Sequence, residues 1–425
     1  MNRIKVRVKK LGRVVDSDIE IAPLMIFSGE SGMGKSYLAL LAHYFYEVLI
    51  MSQNPRLPRL FDYLKYDYKE MAKTFHVEGE AFTITKKEIE KWMEEDAINY
   101  LRFMLNSDEL EGKIEVTLPN TIPDSIVFKY REELTGLINS EDVDIILSIN
   151  DIGYRANHSA INDTTPYAAL LSAFLIECLF GNMNALTSTF NMPPSRGPVL
   201  SENVLANSGM YKDFISDINQ LSNVQSNPQT SSMPLLNQLY TIMEGEIKKE
   251  NNRFMYYKKE AFRPIPISAA ASSIREIAPL QILASKWDIK TTAVLIEEPE
   301  AHLHPDKQRM MADIVGCIVK YGAHVHLTTH SDYFLRRINE LIMFQKYANS
   351  HTQDETALLM NKTGISTTFS IDEKDMMAYL VVRQENGSSV VVSQNMKYGV
   401  PFTSFSSAIK ESMRINDILE EALGI

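Results

Sequence analysis

The segment Gly29-Glu-Ser-Gly-Met-Gly-Lys-Ser36 follows the apolar run Pro23-Leu-Met-Ile-Phe27 with only Ser28 between them. Glycine, four residues, then Gly-Lys-Ser is the spacing of a phosphate-binding loop, and the helical stretch Tyr37 to Ile50 comes immediately after it. A strand, a glycine loop and a helix in that order restrict the chain to an α/β architecture built around the strand. Gly29, Gly32 and Gly34 allow positive φ and close approach of backbone to phosphate. The backbone N–H groups of Glu30, Ser31 and Met33 and the start of the helix at Tyr37 then make an anion nest. Lys35 is expected to reach the β- and γ-phosphates of ATP, and the Ser36 hydroxyl to ligate Mg²⁺.

Two shorter strand patterns precede the loop. Ile4, Val6 and Val8 alternate with Lys5, Arg7 and Lys9, and Asp18 to Ile21 forms the second. The basic residues Arg3, Lys5, Arg7, Lys9, Lys10 and Arg13 could face nucleic acid. They also suit the solvated face of an edge strand, where lysine blocks aggregation.

The 425 residues correspond to roughly three domain-equivalents. A net charge of −11 repels polyphosphate, so a nucleic-acid contact needs a local basic patch. Cys178 and Cys317 are the two cysteines, which excludes a disulfide framework and a cysteine zinc site. The opening MNRIKVRVKK has no apolar core, so no secretory leader is expected there. The stretch Tyr167 to Leu186 carries Glu177, Asn182 and Asn184, and reads as a buried helix and not a membrane span. A cytoplasmic location is expected.

The second informative block lies far along the chain. Thr292 to Ile296 is a buried-strand run followed by Glu297-Glu298-Pro-Glu-Ala-His-Leu-His-Pro305. Acids at the end of a parallel strand stand where α/β sheets place ligands. Glu297 is assigned to the Mg²⁺ hydration shell, and Glu298 to the water attacking the γ-phosphate, as general base. A helix over Lys307 to Tyr321 and a strand from His324 follow. That strand ends at Thr328-Thr-His330-Ser, and His330 is assigned to the γ-phosphate. His324 and His326 share a strand face, but no carboxylate or cysteine pattern accompanies them as a metal site would require.

GESGMGKS, LIEEPEAHLHP and the strand end TTHS together resemble the ABC-type heads of the OLD/RecF/SMC-like ATPases. They are most similar to stand-alone AAA-family ATPases of prokaryotic anti-phage systems of the Septu, PARIS or retron-associated kind. Met192-Pro-Pro-Ser-Arg196 resembles a Pro-Ala-x-Arg segment of that group, Gly245 to Tyr256 its hairpin, and Ser268 to Leu280 a degenerate signature. The resemblance implies a mixed sheet with flanking helices and face-to-face heads sandwiching ATP, with Ser272 touching the γ-phosphate of the partner's nucleotide. It also implies a homo-oligomer and a separately encoded effector, a nuclease or toxin. Glu297 replaces the usual Asp, Ser273 the usual Gly and Tyr37 the usual Thr, and no Q-loop glutamine is found, departures that imply slow turnover.

Roughly 260 residues separate Lys35 from Glu298, far more than a compact head needs. The expected division is an N-terminal half-head over 1–55 and a helical and small-β insertion over 56–190. A second lobe with an exposed loop at 222–235 occupies 191–260, the other half-head 261–345, and a C-terminal part 346–425. Lys113 to Leu118 and Ser125 to Tyr130 are expected to form one antiparallel piece. The tail is expected to hold a hairpin turning at Asn386-Gly387 and an amphipathic helix over Phe402 to Leu423, together a cap or dimerisation element. Its acids at Asp372, Glu373 and Asp375 depart from the metal spacing of a TOPRIM nuclease. Two other functions stay open, a RecF-like DNA-binding repair ATPase and a nucleotide-bound scaffold that does not hydrolyse.

Overall fold

The computed structural model describes residues 3–51, 55–66, 81–134, 143–157, 163–200, 206–224, 233–251, 253–395, 399–400 and 404–423. Most of the loop expected at 222–235 lies outside them. The architecture is α/β. Its main sheet has nine strands in the order β5-β1-β2-β16-β15-β3-β14-β13-β9. These are β1 (Lys5–Leu11), β2 (Val14–Glu20), β3 (Leu24–Gly29), β5 (Gly112–Thr117), β9 (Ser188–Met192), β13 (Thr292–Glu297), β14 (His324–Thr328), β15 (Met376–Arg383) and β16 (Ser389–Ser393).

The central strands β9, β13, β14, β3 and β15 run parallel. They are covered on both faces, which is why β3 and β13 read as continuous apolar runs. Met25 and Phe27 of β3 and Ala293 and Leu295 of β13 enter the core on one face. Leu24 and Ile26, with Val294 and Ile296, enter the core on the other. The first face holds α1 (Lys35–Glu47), α2 (Pro58–Tyr63), α3 (Lys86–Leu105) and α4 (Thr165–Phe180). The second holds α5 (Gly209–Asn223), α6 (Met233–Met243), α7 (Ser272–Lys286), α8 (Pro305–Lys320) and α9 (Asp332–Ser350). A short α10 (Gln353–Thr363) follows, and α11 (Ser404–Leu423) closes the described chain.

The single antiparallel piece expected from Lys113 to Leu118 and Ser125 to Tyr130 does not form, because the two segments join different sheets. β5 joins the main sheet beside β1, with Val8 opposite Ile114. Ser125 to Leu134 is β6 of a separate antiparallel sheet, β4-β6-β7-β8, with β4 (Ala81–Thr85), β7 (Val143–Ile149) and β8 (Ile152–Asn157). That sheet is pinned by stacking of Phe82 on Phe128, centroids 4.3 Å apart. α3 starts cleanly because Thr85 and Glu88 form a reciprocal capping box. A third small sheet joins β10 (Gly245–Glu250), β11 (Arg253–Lys258) and β12 (Ile265–Pro266).

β1 is not an edge strand, since β5 covers its free side. Its cations are paired across the ladder, Arg7 with Asp18 at 3.1 Å, Lys9 with Glu115 at 3.3 Å and Lys10 with Glu111 at 2.8 Å. The hairpin at Asn386-Gly387 forms, but within the main sheet. β15 lies parallel to β3 with Val381 opposite Gly29, and β16 reaches β2. Its apolar strand β15 is buried because it fills the space between the phosphate-loop strand and the N-terminal hairpin. α11 presents Met413, Ile418 and Leu419 to solvent at 61, 51 and 54% exposure. Among the described residues, no helix is long and apolar enough to cross a membrane.

Candidate active site at the carboxyl edge of the sheet

β3 ends at Gly29 and α1 starts at Lys35, so the intervening loop lies over the carboxyl end of the parallel strands. Gly29, Gly32 and Gly34 have φ of 126°, 74° and 102°. At Gly29 the constraint is packing as well as conformation, because a Cβ would stand 2.4 Å from the Val381 carbonyl oxygen of β15. Glu30 and Ser31 are exposed, whereas the Met33 side chain is buried with its sulfur 3.7 Å from Ser389 Oγ. Only the backbone of Met33 is therefore available to a ligand. The Tyr37 ring lies beneath the turn at Gly12.

Lys35 is buried at 5% exposure and folds back to donate to the Glu30 carbonyl at 2.7 Å. Burial lowers its pKa to about 8, against the raising influence of Glu298, Glu297, Glu300 and Glu30. The ammonium thus stands among four carboxylates and can exchange a loop carbonyl for a phosphate oxygen.

β13 delivers Glu297 to the other side of the loop. Ser36 Oγ donates to Glu297 Oε2 at 3.0 Å, and Thr328 Oγ1 donates to the same oxygen at 2.6 Å. Glu297 Oε1 is buried without a partner. The Ser36 hydroxyl and the Glu297 carboxylate, with one carboxylate oxygen unpartnered, are oxygen donors that fit Mg²⁺. Burial holds the Glu297 pKa above its ordinary value, a penalty that a divalent cation removes.

Glu298 has φ of 47°, in the left-handed region that few non-glycine residues adopt. This turn carries its carboxyl away from Glu297, to 3.8 Å from His330 Nε2. Burial and the nearby Lys35 charge lower the His330 pKa, offset in part by Glu298, which favours a neutral imidazole.

Three residues given no chemical role in the sequence reading complete the arrangement. Glu300 Oε1 accepts from Thr329 Oγ1 at 2.7 Å, His330 N at 2.7 Å and Ser331 N at 3.1 Å. It ties the loop after β13 to the loop after β14 and so fixes where His330 starts. The signal available in the sequence was a third acid, two residues beyond Glu298. Thr328, the last residue of β14, bridges Glu297 and the Glu298 backbone. Arg196, 1% exposed, donates to the Glu297 carbonyl at 2.8 Å and the Glu276 carbonyl at 2.9 Å. It joins the Met192–Arg196 segment and α7 to the acidic strand end.

A family model described as the AAA ATPase domain matches residues 1–335. The chain belongs to the AAA ATPase domain family. The matched residues include the phosphate loop, Glu297, Glu298 and His330, while β15 and β16 lie beyond them although they complete the sheet. A search of curated proteins found no match. Among solved structures, the Smc head bound to the C-winged helix domain of ScpA aligns with TM-score 0.40 and 10% identity, covering 93% of this chain and 98% of that one. An SMC head domain from Thermotoga maritima gives 0.35 and 10%, over 93% and 100%. A Pyrococcus furiosus Smc head with an extended coiled coil, bound to the C-terminal domain of ScpA, gives 0.38 and 11%, over 97% and 100%.

Within this AAA ATPase domain one chain brings together Lys35, Ser36, Glu297, Glu298 and His330. Ser272 stands elsewhere, in the first turn of α7, which packs on α5 and α6. The histidines of β14 are core residues. His326 is fully buried against Tyr46 and His43, with ring centroids 4.7 and 5.6 Å away. Among the described residues, no group of three or more His, Cys, Asp or Glu is placed to hold a metal ion.

Proposed function

We propose that this AAA ATPase domain binds Mg-ATP at the Gly29–Ser36 loop and hydrolyses it slowly, as a switch that assembles into paired heads and controls a separately encoded effector in anti-phage defence. The observation that carries the nucleotide reading is the Ser36–Glu297 contact with Glu298 and His330 beside it. Two segments about 260 residues apart in sequence meet around one buried lysine. Mg²⁺ at Ser36 and Glu297 would offset phosphate charge. Lys35 neutralises the β- and γ-phosphates, and the loop N–H groups hold the phosphate oxygens. Glu298, 46% exposed at its side chain, is free to take a proton from water. Neutral His330 adds no charge beside Glu298 and can donate from Nε2 toward the γ-phosphate. Supply of Ser272 by a second head completes the site in trans, which makes turnover depend on assembly.

The ion pairing of Arg7, Lys9 and Lys10 leaves β1 without an unneutralised basic strip, which weighs against a DNA clamp built on that strand. The test is solution mass by light scattering with and without Mg-ATP, for wild type and Glu298→Gln, together with the ATPase rate. The expected result is a larger species for Glu298→Gln with ATP alone, and turnover reduced about 10²-fold or more. Turnover unchanged by Glu298→Gln, with a mass indifferent to ATP, would favour the non-hydrolysing scaffold.

A further inference from the structure

The carboxyl end of α1 opens into a second cavity of about 670 Å³. Its lining begins on α1 at His43, roughly 12 Å along the helix from Lys35 at the phosphate loop. It sits at the amino edge of β9 and β13, the opposite edge of the sheet from the nucleotide site.

Its walls are rich in acceptors. Glu47 comes from α1, and Asp213 and Asp217 come from successive turns of α5. The arginines facing it are Arg56 and Arg59, and Arg56 is already clasped by Asp96 at 2.6 and 2.7 Å. Burial, followed by the charge of Glu47, pushes the Asp213 pKa up to about 7, and the same two causes raise that of Asp217. Glu47 accepts from Thr189 Oγ1, and among the described residues none of the three carboxylates forms an ion pair within 4 Å.

Three further polar side chains in the walls are nearly inaccessible and incompletely satisfied. His43, Tyr100 and Asn191 are 1, 2 and 3% exposed. His43 Nδ1, the Tyr100 hydroxyl and Asn191 Oδ1 have no hydrogen-bond partner. Asn191 already donates through Nδ2 to the Met210 carbonyl, so its remaining need is for a donor. Asn191 Oδ1 needs a donor, while the His43 nitrogen and the Tyr100 hydroxyl can each donate or accept, so the wall holds unfilled hydrogen-bonding capacity of both kinds. A bare metal ion does not fit, since the described carboxylates do not converge as ligands. Trp287 adds a half-buried aromatic face, and such faces attract alkylammonium groups.

We propose that this cavity binds a small aliphatic polyamine, whose ammonium groups are received by Glu47, Asp213 and Asp217 and whose methylene chain lies against Trp287. The site is separate from the nucleotide site, and the proposal does not depend on the switch reading.

The test is calorimetric titration of the full chain with spermidine, at fixed ionic strength and without nucleotide, so that polyamine–ATP pairing contributes nothing. One saturable site per chain is expected, with affinity weakened at least about tenfold by the near-isosteric double variant Asp213→Asn/Asp217→Asn, a change of about 1.4 kcal/mol. Asn99→Lys is the second probe. It places an ammonium at the cavity mouth from an exposed position of α3, and is expected to weaken spermidine as a built-in competitor. Absence of saturable binding to folded wild type, or an affinity unchanged in both variants, overturns the proposal.

Discussion

Lys35 is where single-residue chemistry is most exposed to test. Its pKa of about 8 means that the free site loses its cation as pH rises through that value, whereas phosphate restores it. ATP affinity is therefore expected to hold near neutrality and to fall by up to about tenfold per pH unit above 8, as read by nucleotide titration. Lys35→Arg, weaker throughout, is expected to lose this slope because a guanidinium stays charged. Glu300 makes a different prediction. Its carboxylate serves one side-chain and two backbone donors, so Glu300→Ala strands buried N–H groups and is expected to cost about 2–3 kcal/mol in urea unfolding. Turnover is expected to fall as well, through loss of His330 placement. These residues differed in legibility. The glycines, Lys35 and Ser36 are legible because their chemistry is set by spacing within eight residues. Glu300 and Arg196 stand in segments that the sequence marks, but their partners lie across the gap between strand ends and cannot be read locally.

Between elements, the clearest long-range fastening is the contact of Arg56 with α3. Arg56 and Asp96 are 8 and 6% exposed at their side chains, and the Tyr44 hydroxyl of α1 donates to the same carboxylate. The guanidinium also lies 5.3 Å from the Tyr100 ring centroid. Removing one member leaves the other charged and buried, so Arg56→Met is expected to destabilise by about 3–5 kcal/mol. Replacing both, Arg56→Met with Asp96→Leu, is expected to recover much of that loss in the same denaturation experiment. A loss equal to or larger than the single variant's would show that the pair is more than mutual compensation. Element types were largely legible, since the alternation in β1, the apolar runs of β3 and β13 and the Asn386-Gly387 turn are local patterns. Placement was not. β5 and β6 carry the same alternation yet belong to different sheets, because the choice of neighbour depends on what α3 and α4 leave uncovered.

For the whole molecule, the hairpin β15–β16 decides what can be removed. It is bracketed by β3 and β2, so truncation after residue 350 is expected to leave two open strand edges in the middle of the sheet and an insoluble chain. Truncation after residue 400 removes only α11, whose described apolar residues face solvent, and is expected to leave the thermal unfolding midpoint nearly unchanged. Soluble expression and calorimetry of the two truncations separate these outcomes. A folded first truncation would mean that the sheet closes without its central hairpin.

The parallel ladder between β3 and β15 joins Gly29 to Val381, about 350 residues further along the chain. On the ribosome, the strand that carries the phosphate loop is made first and must wait for this neighbour while nearly everything else is synthesised. At roughly 5–20 residues per second the wait is on the order of 20 to 70 s, with an apolar strand lacking its partner throughout. Nascent chains should therefore gain nucleotide binding abruptly and late, and they are natural clients for a chaperone during the interval.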